Sequence, residues 1–222
     1  METIKPQKSL VDQTYEILLN AICTGEFAPG TRLNQDELAA RLNVSRQPVN
    51  SAISILRTNR LVVDTGRRGV VVAEPDISLF QSIYEFRSVI EPLAVQLACT
   101  RLPADAAPEA EEILIRGERA VATRDTKALL EADIDFHQML YRWSGNPVID
   151  TSMQLNWHHI RRSMVEVLKT PLAAVSSWAE HRNIARAVLS GDTTAATEAM
   201  RHHINHANEK ITATLADRRD PK

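Results

Sequence analysis

Cysteine, glycine and aromatic residues are all scarce in this 222-residue chain, which has two cysteines, seven glycines and 5% Phe, Trp and Tyr together. Cys23 and Cys99 stand far apart with no CxxC pair, which excludes a disulfide scaffold and fits two buried, unpaired thiols in a reducing compartment. So little glycine excludes a collagen-like repeat, and 44% hydrophobic content excludes a disordered chain. Long apolar runs are also missing: nothing reaches the ~18 residues a membrane span requires, and no apolar stretch follows Lys5 and Lys8 as in a secretory leader. The expectation is a cytoplasmic protein with no membrane partner. Charge of one sign is lacking as well, since 26 basic residues face 28 acidic ones. At whole-chain level this balance argues for neither a nucleic-acid nor a membrane surface.

What is present changes along the chain. Four of the seven glycines (Gly25, Gly30, Gly66, Gly69) lie in the first 75 residues. Beyond Pro75 the sequence is rich in Ala, Leu, Glu and Arg at helical spacing, punctuated by Pro103, Asn146-Pro147, Thr170-Pro171 and Gly191-Asp192, each a stop or cap signal. We therefore divide it into 1–75 and 76–222 and expect the second part to be an all-α bundle, with six helices at 77–100, 104–123, 126–144, 147–168, 172–190 and 193–217 and a kink at Pro92.

In the first part, Leu10, Thr14, Ile17, Leu18, Ala21 and Ile22 form one stripe of a helix that stops at Gly25. A short helix capped by Asn34 follows, then a third from Ser45, an N-cap candidate, with Pro48 in its first turn, through Leu56. Two β-branched runs, Leu61–Asp64 and Val70–Ala73, flank a Gly-bounded basic turn and predict a hairpin. Three helices and a hairpin make a winged helix-turn-helix. Between Arg41 and Arg68 the chain carries six arginines (Arg41, Arg46, Arg57, Arg60, Arg67, Arg68) against the single acid Asp64. Arg46, Gln47 and Asn50 near the start of the third helix offer guanidinium and amide groups that read base edges, and Arg67 and Arg68 at the turn tip suit phosphate or the minor groove.

The strings Gly25-Glu26-Phe27-Ala28-Pro29-Gly30-Thr31-Arg32-Leu33, Leu38-Ala39, Asn43-Val44-Ser45-Arg46-Gln47-Pro48-Val49 and Arg68-Gly69 together resemble the DNA-binding domain of GntR-family bacterial transcription regulators. Arg87-Ser88-Val89-Ile90-Glu91 and Asp133-Ile134-Asp135-Phe136-His137 resemble the helical effector-binding domain of the FadR-type (FCD) subfamily. The resemblance spans nearly the whole chain. It implies a mostly α protein with an FCD-like bundle, and DNA contacts from Arg32, Ser45, Arg46, Gln47, Asn50, Arg67, Arg68 and Gly69. Two departures stand out: Asn50 where relatives carry Arg, and Asn59-Arg60 where they carry Glu-Gly. Losing that glycine leaves Asn59 as the expected left-handed residue ending the third helix.

Three bundle stripes contain polar groups where a core should be apolar. Leu129, Leu130, Asp133, Phe136, His137 and Leu140 share one face. Trp178, His181, Ile184, Ala185 and Val188 share another; Ala196, Ala199, Met200, His203, Ile204, Ala207 and Ile211 form a third. A lone inward histidine is most often a hydrogen-bonded core residue, and an unpaired buried carboxylate costs several kcal/mol. Asp133, His137, His181 and His203 together form an N3O set suited to a divalent transition metal, Zn2+ first, with Ni, Mn, Fe or Co as alternatives. The Asp-x3-His pair and the His181–His203 spacing also match the metal pattern of FCD-type regulators. His202 and His206 are read as solvated, and one of His158 and His159 as near the cavity.

By the resemblance, a small organic acid binds in the bundle, Arg87 and more weakly Arg161 or Arg162 meet its carboxylate, and binding changes how a homodimer holds a palindromic double-stranded DNA operator. The expected function is a metabolite-responsive regulator, a repressor, and not an enzyme. A helical metalloenzyme or a regulator with a purely structural metal are the alternatives.

Overall fold

A computed structural model describes residues 8–66, 69–154, 156–168 and 170–219. The chain divides into two compact units, Met1–Pro75 and Asp76–Lys222.

In the first unit, helix α1 (Leu10–Thr24) begins with a capping box in which the Ser9 hydroxyl accepts from Asp12 N–H and the Asp12 carboxylate accepts from Ser9. It ends at Gly25, whose φ of 81° is the left-handed stop that a side chain would resist. Thr14, Leu18, Ala21, Ile22 and Cys23 face inward. Leu10 and Ile17, placed on the same stripe by sequence, are 59% and 52% exposed. Helix α2 (Gln35–Leu42) is capped by Asn34, whose side chain accepts from Asp36 N–H at 3.0 Å, and α3 (Arg46–Thr58) crosses it in a helix-turn-helix. Val49, Ala52, Ile53 and Leu56 of α3 are buried against Leu18, Ile22 and Leu38. Each fully buried aliphatic side chain contributes roughly 1.5–3 kcal/mol, enough for a small core to hold three short helices.

The hairpin is antiparallel, β2 (Val62–Asp64) with β3 (Val70–Val72). A third strand, β1 (Arg32–Leu33), pairs on the other edge of β3, giving the order β1-β3-β2. Two residues carry no periodicity, so β1 has no sequence signature. The left-handed residue that ends α3 is Arg60 (φ 55°), and Asn59 stays near the helical region at φ −82°. The reason is local: the Asn59 amide donates to the Tyr15 hydroxyl at 3.0 Å, tying α3 to α1, while Leu61 N–H closes a wide turn onto Leu56 C=O at 2.9 Å.

The second unit is all-helical: α4 (Ile77–Thr100), α5 (Ala106–Thr123), α6 (Thr126–Trp143), α7 (Pro147–Gln154), α8 (Trp157–Leu168), α9 (Pro171–Leu189) and α10 (Thr193–Arg219). Asp76 and Asp125 cap α4 and α6 through their carboxylates, and Pro171 sits in the first turn of α9. The stretch expected as one helix from 147 to 168 is two. Asn156 interrupts it: its carbonyl accepts from His159 and Ile160 to open α8, and its amide donates back to Ser152 C=O. Helix α4 is one continuous element with Pro92 buried in its interior. Helices α4 and α9 pack on α10, and α5 lies between α6 and α9. All three expected stripes face the core: Phe136, Leu140, Ile184, Val188, Met200, Ile204 and Ile211 are at most 1% exposed. Cys23 is buried and Cys99 half-buried, and neither is in a disulfide. No helix among the described residues is long and apolar enough to cross a membrane.

Candidate functional site

Helices α6, α9 and α10 each bring one imidazole to the same interior point. His137, His181 and His203 are at most 2% exposed, and one ring nitrogen from each lies within 4.8 Å of the others. His181 Nε2 is 3.2 Å from His203 Nε2 and 3.5 Å from Asp133 Oδ1. The structure thus gathers the four residues singled out by their stripes. Aromatic walls hold the rings in place: Phe136 stacks on His181 at 4.3 Å, and Trp178 meets it edge-on at 4.8 Å. Trp178 is itself fixed by donating to Leu114 C=O and by lying directly over Gly117, where a Cβ would fall 1.7 Å from its ring.

Two carboxylates that sequence reasoning did not assign set the protonation of these rings. Glu180, on α9 immediately before His181, has Oε2 2.8 Å from His203 Nδ1 and Oε1 2.5 Å from His206 Nδ1. Glu91, on α4 and fully buried, has Oε2 2.7 Å from His137 Nδ1 and Oε1 2.6 Å from Arg87 Nε. A carboxylate hydrogen-bonded to Nδ1 draws the proton there, so we assign His203 as the Nδ1–H tautomer with Nε2 a bare lone pair. Burial resists ionising Glu91, but Arg87 and then His137 outweigh it and hold the carboxyl well below its usual range. Burial also pushes His181 well below the normal imidazole value, reinforced by His203 and His137. His203 goes the same way by burial, with Glu180 opposing. Neutral imidazoles are the form that ligates a metal.

The donor set fits a divalent transition metal on a structural criterion. His137 Nε2 is buried without a hydrogen-bond partner, and the Nε2 atoms of His181 and His203 confront one another across 3.2 Å. Two ring nitrogens at that separation share either one N–H proton or a cation, and Asp133 beside His181 adds a hard anionic ligand. Residues His137, His181, His203 and Asp133 are the ones that would hold it.

The remaining expected site residues are distributed as follows. Arg87 is 2% exposed and paired with Glu91, its guanidinium 4.7 Å from the Tyr84 ring centre and 5.8 Å from that of Trp157. Arg161 and Arg162 are half-buried on α8. His158 is buried and His159 half-buried on the same helix. His202 is exposed as expected, but His206 is half-buried and bonded to Glu180, because α9 approaches that face of α10.

In the N-terminal unit Ser45, Arg46, Gln47 and Asn50 are all exposed at the start of α3. Ser45 is the N-cap residue, yet its hydroxyl makes no capping bond. Pro48 explains this, since it occupies the third helical position and has no N–H to donate. Arg46 reaches Asp36 at 3.0 Å in an exposed pair. Exposed Arg32 on β1 approaches Gly69, the residue just before β3, with which β1 pairs. Arg67 and Arg68 lie outside the described residues.

Two domain families match the chain. Residues 10–72 match "Bacterial regulatory proteins, gntR family" and residues 82–206 match the FCD domain. An HTH-type transcriptional regulator in an unstable DNA locus of Streptomyces ambofaciens is 30% identical over 197 residues, covering 89% of this chain and 83% of that protein. The HTH-type transcriptional repressor RspR of Escherichia coli is 25% identical over 215 residues, covering 94% and 91%. A solved structure of a GntR transcriptional regulator from Rhodococcus sp. RHA1 superposes with a TM-score of 0.77 at 28% identity, over 91% of this chain and 97% of that one.

Proposed function

This chain belongs to the gntR family of bacterial regulatory proteins, with a helix-turn-helix unit followed by an FCD domain, and from that premise we propose that it is a metal-assisted, metabolite-responsive repressor. It is a transcription regulator and not an enzyme. The observation that carries the finer reading is the convergence of His137, His181 and His203, their ligand nitrogens within 4.8 Å and Asp133 alongside, in the interior of the domain remote in sequence from the DNA reader.

Our reading assigns the two units different tasks. Arg46, Gln47 and Asn50 on α3 read base edges in the major groove. Ser45, with a hydroxyl unused in capping, and Arg32 and Gly69, together with Arg67 and Arg68 of the basic turn sequence, meet phosphate or the minor groove. Two chains grip a palindromic operator as a homodimer. In the bundle, Asp133, His137, His181 and His203 hold a divalent transition metal, Zn2+ by preference. Such a metal supplies an open coordination position that polarises a small organic acid. Arg87 and Arg161 bind the acid's carboxylate by charge-assisted hydrogen bonds, and Glu91 and Glu180 keep His137 and His203 oriented as ligands. Effector and DNA favour different dimer arrangements, with the coupling of about 1–3 kcal/mol that is typical of allosteric proteins. The similarity to RspR, a transcriptional repressor, supports repression as the direction of control.

The test is titration of labelled DNA from upstream of the chain's own gene and its neighbours, read by fluorescence anisotropy. Nanomolar-range binding that weakens linearly on a log–log plot with salt is expected, and Arg46→Ala together with Gln47→Ala removes the specific component. Salt-independent binding, or none to any upstream duplex, contradicts the proposal.

A further inference from the structure

Outside the buried set, a second group of ligand-type side chains converges where α9 meets α10. His202 and His206 are one turn apart on α10, their rings 5.7 Å centre to centre at 31°. Glu180 of α9 faces the pair, with Oε1 2.5 Å from His206 Nδ1 and 3.9 Å from His202 Nε2. One ligand atom from each of the three lies within 4.8 Å of the others. Side-chain exposure rises outward, 13% for Glu180, 31% for His206 and 70% for His202, so the group opens to solvent.

We propose that Glu180, His202 and His206 form a second, solvent-accessible binding site for a divalent transition metal, distinct from the interior Asp133 and His137/His181/His203 set. A His pair four residues apart on a helix presents two nitrogens to one ion, and a carboxylate fixed by a neighbouring helix completes a three-ligand face with positions left for water. Two imidazoles and one carboxylate select Zn2+, Co2+ or Ni2+ over Mg2+ and Ca2+, which prefer all-oxygen shells. The two oxygens of Glu180 are divided between the sites, Oε2 orienting His203 and Oε1 facing the outer pair. A surface hydrogen bond between Glu180 and His206 alone would not require His202 to share the same face.

The full-length protein, stripped of metal and dialysed to equilibrium against micromolar Zn2+, tests this by zinc content per chain. Two zinc ions are expected for the wild type, one for the His202→Ala/His206→Ala variant, and one, the outer ion, for His137→Ala/His203→Ala. Both outer histidines are at least partly exposed, so circular dichroism melts of the first variant, run with excess chelator, should lie close to those of the wild type. A wild type that binds one zinc, lost on replacing His202 and His206, upholds the outer site and contradicts the buried one. A His202→Ala/His206→Ala protein that binds as much zinc as the wild type overturns the outer site.

Discussion

Replacing Glu91 by alanine removes the group on which two others depend. Glu91 is 0% exposed, with one oxygen 2.6 Å from Arg87 Nε and the other 2.7 Å from His137 Nδ1. Without it a guanidinium whose side chain is 3% exposed has lost its counter-ion, for which the Tyr84 and Trp157 rings, 4.7 and 5.8 Å away, compensate in part. Breaking a buried ion pair by deleting one partner costs about 3–5 kcal/mol. For a helical domain of this size that lowers its melting temperature by about 6–20 °C, at about 2–4 °C per kcal/mol. Glu91→Gln keeps an acceptor for Arg87 and should lose less. The internal control is Glu118→Ala, which breaks an ion pair with Arg182 whose side chains are 48% and 36% exposed, and such pairs contribute at most about 1 kcal/mol. Thermal melts by circular dichroism, run with excess chelator so that metal affinity does not contribute, give the comparison. If Glu91→Ala melts within the range of Glu118→Ala, the argument that Glu91 anchors the interior charges is wrong.

Gly117→Ala places a Cβ 1.7 Å from the Trp178 ring, so the tryptophan that abuts His181 must move; a loss of about 1–3 kcal/mol, a shifted tryptophan emission maximum and weaker zinc retention are expected. Burial, aided by the charge of His159, pushes His158 down to about 4, so from about pH 6.5 to 4 the unfolded chain takes up a proton that the folded chain refuses. Stability is lost as pH falls through that window, and urea titrations of His158→Gln should be flatter there by up to about 3 kcal/mol; equal slopes contradict it. Arg60→Gly relieves a left-handed residue at φ 55° and should stabilise the N-terminal unit by about 0.5–1 kcal/mol, read from hydrogen exchange of the α3 amides.

Much of this architecture can be read from spacing because helical stripes report burial directly. Asp133, His137, His181 and His203 each interrupt an apolar row at the period of their helix, and rows that face one core bring their exceptions together. Glu91 and Glu180 are hidden for the complementary reason. Glu180 precedes His181 by one residue, about 100° around the helix, and only the approach of α10 turns that flank toward His203 and His206. Glu91 is visible as an i, i+4 partner of Arg87, but its second contact, to His137, belongs to helix packing and has no sequence period. Local preference misleads where tertiary contacts compete for the same group. Asn59 is the better left-handed residue by propensity, yet its amide is committed to Tyr15, and the turn passes to Arg60. Asn156 likewise splits one amphipathic run into α7 and α8 with no proline or glycine to announce the break.

Native mass spectrometry of the gently purified full-length protein bound to an upstream DNA duplex tests the central claim most directly. We predict two chains per duplex, with a transition metal on each chain that survives His202→Ala/His206→Ala and is lost with His137→Ala/His203→Ala. A monomer on DNA, or a dimer whose metal content is unaffected by replacing His137 and His203, contradicts it.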